Sequence, residues 1–425
     1  MKHFRLLLFF VFFVSLSASQ NVCGSGFAIY TDGSTPLGQG NSVIAHAEDA
    51  STIFFNPALI VTLDSAQIEA GTTFLMPSND FDSNFNSSSS STKDNVFYPS
   101  TFFITHKYND KISFGLGIFS PFGLATEWPD TWEGRYIATK SELITYTINP
   151  VVAFRVMPNV AVAAGIDMLF ADAELNKMVN LSALSVPDIN QRLKGDDNGL
   201  GFNLGLLVDI NDDISFGASY RSGITIDISG DISHDLPAGI PAFISQMLPN
   251  TSAKTSVELP AQAYAGIAYK GIKPLTVEIG GKWEGWSSFN ELRIESDLPI
   301  LGFNEFVYPK DWNDVFSFNA GAEYQVNKNI GLLIGYIYDR DPIPDSAFEP
   351  SIPGNDAHIY TAGVKWQSNK FKVGVSYAYQ NVKGRDKDNL IDDNPFDGVG
   401  NPTTSANGHY KSDAHMIGMD ISYMF

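Results

Sequence analysis

Cysteine occurs once in the 425 residues, at Cys23, so no disulfide framework can form within the chain. Positive charge is scarce as well. Lys and Arg number 27 against 47 Asp and Glu, and the formal net charge of −20 excludes nucleic acid as a partner, because phosphate binding needs clustered Lys and Arg. Long apolar runs are missing beyond Leu6 to Leu16, which is too short to cross a hydrocarbon layer of about 30 Å. Enzyme signatures are missing too. There is no Gly-x-Ser-x-Gly elbow, no His-Glu-x-x-His and no Gly-rich phosphate loop, and the seven His are dispersed. No catalytic residue, cofactor or metal is therefore expected, and the chain is not read as an enzyme. The carboxylates of Asp386-Lys387-Asp388-Asn389 and Asp392-Asp393-Asn394 lack the Gly and the closing Glu of an EF-hand, so they are read as a solvated acidic loop and not as a calcium site.

What is present begins with an export signal. Lys2 and Arg5 precede the apolar run, and the small residues Ser15, Ser17, Ala18 and Ser19 gather at its end, the order of a secretory signal peptide over residues 1–24. Cleavage is expected after Ser19 or Gly24, and its loss takes the charge from −20 to about −22. The residues before Cys23 lack the Leu of a lipoprotein signal. An exported chain without apolar helices can still span a membrane as a β-barrel, in which every backbone group is paired between strands.

The two-residue period of such strands is plain near the end of the chain. Ile417, Met419, Ile421, Tyr423 and Phe425 alternate with Gly418, Asp420 and Ser422, and Phe316, Phe318, Ala320, Ala322 and Tyr324 alternate with Ser317, Asn319, Gly321 and Glu323. Strands are expected at roughly 66–79, 97–108, 111–122, 142–157, 160–176, 199–209, 214–232, 255–270, 275–294, 314–326, 330–339, 358–367, 371–382 and 413–425, an even count of fourteen as in closed bacterial barrels. Short polar turns such as Met157-Pro158-Asn159 should face the periplasm. The long connections, among them 177–198, 233–254, 295–313 and 384–412, should face outward, and Tyr and Trp near strand ends should form an aromatic girdle.

Three further stretches stand apart. Ile53 to Ile60 is an apolar run around a fixed turn, since Pro57 lacks a donor and pushes Asn56 to extended backbone, and it suits a plug inside the barrel. In the third strand, Ser120-Pro121-Phe122-Gly123 marks either a bend or gap in the wall or simply the strand's end. Two outer loops carry apolar residues, Met178, Val179, Leu181 and Leu184 in one and Ile240, Phe243, Ile244, Met247 and Leu248 in the other. These form either an outer groove for a greasy ligand or two short helices packed on each other.

The ordered set of Asn56-Pro57-Ala58-Leu59-Ile60, Gly123-Leu124-Ala125-Thr126-Glu127, Tyr220-Arg221-Ser222 and a terminal Phe425 resembles the FadL family of outer-membrane transporters for long-chain fatty acids and other hydrophobic compounds (OmpP1/FadL/TodX type). The resemblance covers essentially the whole mature chain. It implies an all-β fold, a fourteen-stranded antiparallel transmembrane barrel over residues 64–425, plugged by a small helical hatch over residues 25–63 that carries Asn56, Pro57 and Ala58. It implies passive uptake from an outer groove to an internal pocket, with lateral release at a kink at Ser120, Pro121, Phe122 and Gly123. Lys177 aligns with one head-group residue of the family. The second aligned position holds no basic residue, and Lys310 is the candidate beside it. The implied partners are a long-chain fatty acid or hydrophobic small molecule, outer-membrane lipid, and the barrel assembly machinery during insertion. The implied setting is a monomer in the outer membrane of a Gram-negative bacterium. A nonspecific aqueous porin, or a surface receptor or adhesin acting through the long loops, are the alternatives.

Overall fold

The structure, a computed structural model, describes residues 26–391 and 405–425. The expected leader, Cys23, and Asp392, Asp393 and Asn394 lie outside the described residues. Fourteen antiparallel strands close into a barrel. They are β1 (Gln67–Ser83), β2 (Ser100–Lys107), β3 (Ile112–Phe119 and Gly123–Glu127), β4 (Lys140–Met157), β5 (Val160–Val179), β6 (Ile189–Asp209) and β7 (Ile214–Arg221 and Ile224–His234). The series continues with β8 (Thr251–Leu259 and Gln262–Ile272), β9 (Leu275–Glu284 and Glu291–Ile300), β10 (Phe303–Pro309 and Val315–Asn327), β11 (Ile330–Asp339), β12 (Ala357–Gln367), β13 (Phe371–Val382) and β14 (Gly408–Met424). The first strand pairs with the last from Gln67↔Met424 to Ser83↔Gly408, so the sheet has no free edge to leave unpaired in lipid.

The alternation runs inside out. In β10, Phe316 and Phe318 are 55% and 59% exposed, whereas Ser317 is 2% exposed. Apolar side chains therefore face the bilayer, where a charge would cost roughly 2 to 4 kcal/mol at mid-depth.

Three expectations need correction. The stretches 177–198 and 295–313 are largely strand: β5 and β6 stay paired out to Val179↔Ile189, and Glu291–Ile300 forms a hairpin with Phe303–Pro309. In these extensions the outward face carries charge, at Arg192, Lys194 and Asp196, while Ile189 and Leu193 turn inward, so the alternation is the reverse of the lipid-facing one and is obscured. The Trp girdle also fails for most of the six Trp. Trp128, Trp132, Trp286 and Trp312 are buried, because they sit in loops and strand breaks whose side chains turn into the barrel mouth.

Residues ahead of β1 fill the lumen. Two short helices, α1 (Ser34–Gly38) and α2 (Thr52–Phe55), and a 3-10 turn (Pro57–Thr62) are almost wholly buried within the wall. A third short helix, α3 (Ala242–Met247), lies in the loop between β7 and β8.

Candidate functional site

The plug is seated by its backbone. Asn56 is completely buried, and its Nδ2 donates to the carbonyls of Ile44 (2.8 Å) and of Leu206 in β6 (2.9 Å), while its Oδ1 caps the amide of Ala58 (3.1 Å). One side chain thus ties two plug segments to the wall. Glu278 of β9 accepts the amides of Ile44 (2.5 Å) and Ala45 (2.9 Å) and contacts His46 Nδ1 (2.7 Å). Lys365 of β12 bridges Glu48 (2.5 Å) and Glu323 (2.7 Å). Wall glycines admit this backbone: a Cβ at Gly217 would lie 1.9 Å from the Ile44 carbonyl oxygen, and one at Gly335 2.1 Å from the Gly40 amide. The apolar residues of the run, Ile53 to Val61, pack on a lining of Phe103, Phe119, Val151, Ala153, Ala161, Ala163 and Leu207. A polar vestibule of about 770 Å³, lined by His46, Glu48, Lys365 and turn residues such as Ser368 and Asn369, lies on the other side of the plug.

At Ser120-Pro121-Phe122-Gly123 the wall is interrupted. Phe119 pairs with Thr147 and Gly123 with Ile144, so four steps of β3 oppose three of β4, a bulge that turns the strand. The ladder between β2 and β3 ends at Phe102↔Ile118, and Gly123–Glu127 pairs within the sheet only with β4. Its other edge is met by the plug. The Gly123 amide donates to the Phe27 carbonyl (2.8 Å), the Ile29 amide donates to the Pro121 carbonyl (3.2 Å), and Ala28 forms an isolated bridge with Phe122. The first described residues of the chain therefore stand in for a missing neighbour strand.

Beside this interruption lies an apolar cavity of about 130 Å³, lined by Phe27, Leu124, Leu143, Ala173, Leu193 and Ile228 among others. A second cavity of about 80 Å³ shares Leu175, Leu193, Leu292 and Lys310 with it and reaches Lys177 and Tyr308. Phe27 separates the first cavity from the kink. Its ring lies 4.6 Å from Trp286, 5.6 Å from Trp312, 5.9 Å from Phe289 and 6.2 Å from Phe122, an aromatic box made of breaks in β9 and β10 and the kink itself. Near the outer rim, burial and a hydrogen bond to Asp188 push the Tyr136 hydroxyl up to about 12.

Towards the periplasmic end the lining turns polar. Asp167 pairs with Arg221, whose guanidinium also lies over Phe119 (5.0 Å) and Phe54 (5.3 Å). Tyr30 and Ser317 both donate to Asp339 (2.5 and 2.7 Å), and Lys282 pairs with Glu284 (3.0 Å). In β5, the cavity residues Ala173 and Leu175 stand six and eight positions beyond Asp167, further from the Pro158-Asn159 turn. The apolar cavity occupies the outer half of the barrel and this polar layer floors it.

The structure thus brings the kink residues and the first cavity together, and places Asn56, Pro57 and Ala58 at the plug's seat. Lys177 and Lys310 line the same second cavity. Lys177 lies 3.4 Å from the Tyr308 hydroxyl, and Lys310 is ion-paired with Glu349. The outer-loop residues divide. Val179, Leu181, Ile244 and Leu248 are buried against one another and against Ile189, Ile232 and Ile300, while Leu184 and Phe243 stay exposed and Met178, Ile240 and Met247 are half-buried. The loops therefore carry their own small core. The residues that sequence reasoning missed are Phe27, Trp286, Trp312 and Glu349. The one signal was Trp286 directly after Gly285, at the end of an alternating segment.

The chain matches the family described as "Outer membrane protein transport protein (OMPP1/FadL/TodX)" over residues 15–425. It is 26% identical over 407 residues to the long-chain fatty acid transport protein of Escherichia coli K12, covering 86% of this chain and 90% of that one. It is 26% identical over 400 residues to a 47 kDa outer membrane protein of Pasteurella multocida, covering 90% and 89%. Among solved structures, a Pseudomonas aeruginosa FadL homologue superposes with a TM-score of 0.83 at 17% identity, covering 94% of this chain and all of that one. The Pseudomonas putida toluene transporter TodX gives 0.72 at 15% identity, covering 92% and 98%. With the family match spanning every described residue of a plugged, fourteen-stranded barrel, this chain belongs to the OMPP1/FadL/TodX family of outer-membrane transport proteins.

Proposed function

We propose that the protein is a passive outer-membrane channel for hydrophobic compounds, a long-chain fatty acid or a neutral hydrocarbon, which are caught at the outer loops, held in the apolar cavity and released sideways at the kink. The observation that carries this reading is the contact of the cavity with a break in the β2–β3 ladder, with Phe27 of the plug standing between them. Physical chemistry favours that route. Each methylene gains about 0.8 kcal/mol in apolar surroundings, so a long chain leaves more readily into lipid than through the charged layer around Asp167 and Lys282. A lumen filled by buried plug residues supports this reading over an aqueous porin. The relatives carry compatible cargo in their names, long-chain fatty acid in one case and toluene in another. Residues 1–24 act in this scheme as the export signal, and Asn56-Pro57-Ala58 as the seat on which the plug's outer segment hinges.

A disulfide across the gap tests the release step. Ala28 and Phe122 face each other in the isolated bridge, a separation that a disulfide spans, so Ala28→Cys with Phe122→Cys ties the plug to the kink under oxidation. Uptake of labelled oleate or of a labelled alkane by cells should then fall to the level of cells without the protein and recover on reduction. Undiminished uptake by the oxidised protein would sink lateral release past Phe27.

A further inference from the structure

Resting on the reading above, we infer that Glu349 is a built-in counter-ion that reserves the cavity for uncharged hydrophobic molecules. A fatty acid needs a cation for its carboxylate, and the cation at the junction of the two cavities is Lys310. Lys310 is only 6% exposed, and Glu349, which lines both cavities with it, already holds its ammonium.

Glu349 is not a surface acid that swings away. It sits in the β11–β12 loop between two anchored neighbours: the Phe348 carbonyl accepts from Asn389 Nδ2 (2.9 Å) and the Pro350 carbonyl accepts from Trp128 Nε1 (3.0 Å). Phe348 is itself buried against Tyr410. Lys310 is equally fixed, its amide donating to the Asn290 carbonyl at 2.7 Å. Lys140, on the wall of the second cavity, is matched in the same way, lying 3.2 Å from Glu142 and 3.3 Å from Glu174, while Lys177 contacts the Tyr308 hydroxyl (3.4 Å) and Lys254 is exposed. An incoming carboxylate that binds Lys310 would have to displace Glu349 and leave it largely buried without a partner, and breaking a nearly buried pair in this way is strongly unfavourable. An alcohol, an alkane or an aromatic hydrocarbon leaves the pair intact. Leu124, Leu143, Ala173, Leu193 and Ile228 on the same wall offer such molecules apolar contact.

The experiment is equilibrium binding of radiolabelled oleyl alcohol and oleate, a pair differing only in head group, to the purified full-length protein in detergent under mildly alkaline conditions. Wild type should hold oleyl alcohol about tenfold or more tightly than oleate, and Glu349→Gln should raise oleate affinity by about tenfold or more while shifting oleyl alcohol by less than about twofold. A second variant, Lys310→Met with Glu349→Leu, removes the pair without stranding a charge and should keep the wild-type preference. Equal binding of both ligands by wild type, or no gain of oleate by Glu349→Gln, overturns the counter-ion role while leaving the channel reading in place. Binding of neither ligand by wild type overturns both.

Discussion

The two ends of the plug are held by opposite chemistry. At the periplasmic end its backbone and side chains are clamped by buried charge and by Asn56, with Glu278, Lys365 and Asp420 each reaching in from a different strand. At the outer end Phe27 lies in a box of rings, and two backbone hydrogen bonds join Phe27 and Ile29 to the kink. Hydrogen-bonded charge in a buried site has one good arrangement, whereas rings packed on rings tolerate displacement by another apolar group of similar size. The difference teaches where movement is cheap. On the proposed route, a ligand entering the cavity competes with Phe27 and not with the clamp.

The largest expected effect comes from breaking the clamp. Lys365→Met strips the cation from Glu48 and Glu323, leaving two nearly buried carboxylates on one another with His46 as the nearest remaining partner, 3.2 Å from Glu48. Removing one partner of such a set costs roughly 3 to 5 kcal/mol. Thermal unfolding of the purified protein in detergent, followed by circular dichroism, should show an early transition that wild type lacks. A melting profile unchanged from wild type would mean that the clamp does not hold the plug.

Asn56→Ala should come next. It leaves the Ile44 and Leu206 carbonyls and the Ala58 amide without their side-chain partner, at a cost of roughly 2 to 4 kcal/mol for the group together. Because the barrel closes through β1 and β14 without help from Asn56, heat-modifiable migration of the folded barrel should persist while uptake is lost. Uptake at the wild-type rate would remove the seat from the gating scheme.

The plug's seat and the barrel wall were legible in the chain itself. Asn56-Pro57 announced a fixed turn in an apolar run, and Phe316, Phe318 and Ser317 announced a strand with one apolar and one polar face, because both signals are local. The upper end was not legible. Phe27, Trp286 and Trp312 are far apart in sequence and converge only because β9 and β10 break at the same height, with Trp286 in a 3-10 turn and Trp312 between the two pieces of β10. Lys310 was visible as a cation, but its neutralisation by Glu349 depends on two separate loops meeting, and no periodicity records that. The outer loops misled for a related reason. Val179, Leu181, Ile244 and Leu248 have helix-like spacing whether they line a groove or pack on each other, and only burial separates the two.

The smallest effect on stability, and the sharpest test of the comparison, is expected from Phe27→Ala. Loss of the ring removes the partition between cavity and kink but strands no polar group, since its neighbours Trp286, Trp312, Phe289 and Phe122 keep packing on one another at 5.0 to 6.1 Å. Burial of a Phe in a rigid core is worth roughly 3 to 5 kcal/mol, yet here the loss falls on a segment ahead of the clamp, expected to separate from the wall without disturbing it. The main unfolding transition should therefore move less than in Asn56→Ala, while uptake of an apolar ligand rises because the space it must win is already free. If Phe27→Ala instead lowers that transition as far as Asn56→Ala does, the outer end belongs to the same cooperative unit as the clamp, and a ligand cannot open the kink by displacing Phe27 alone.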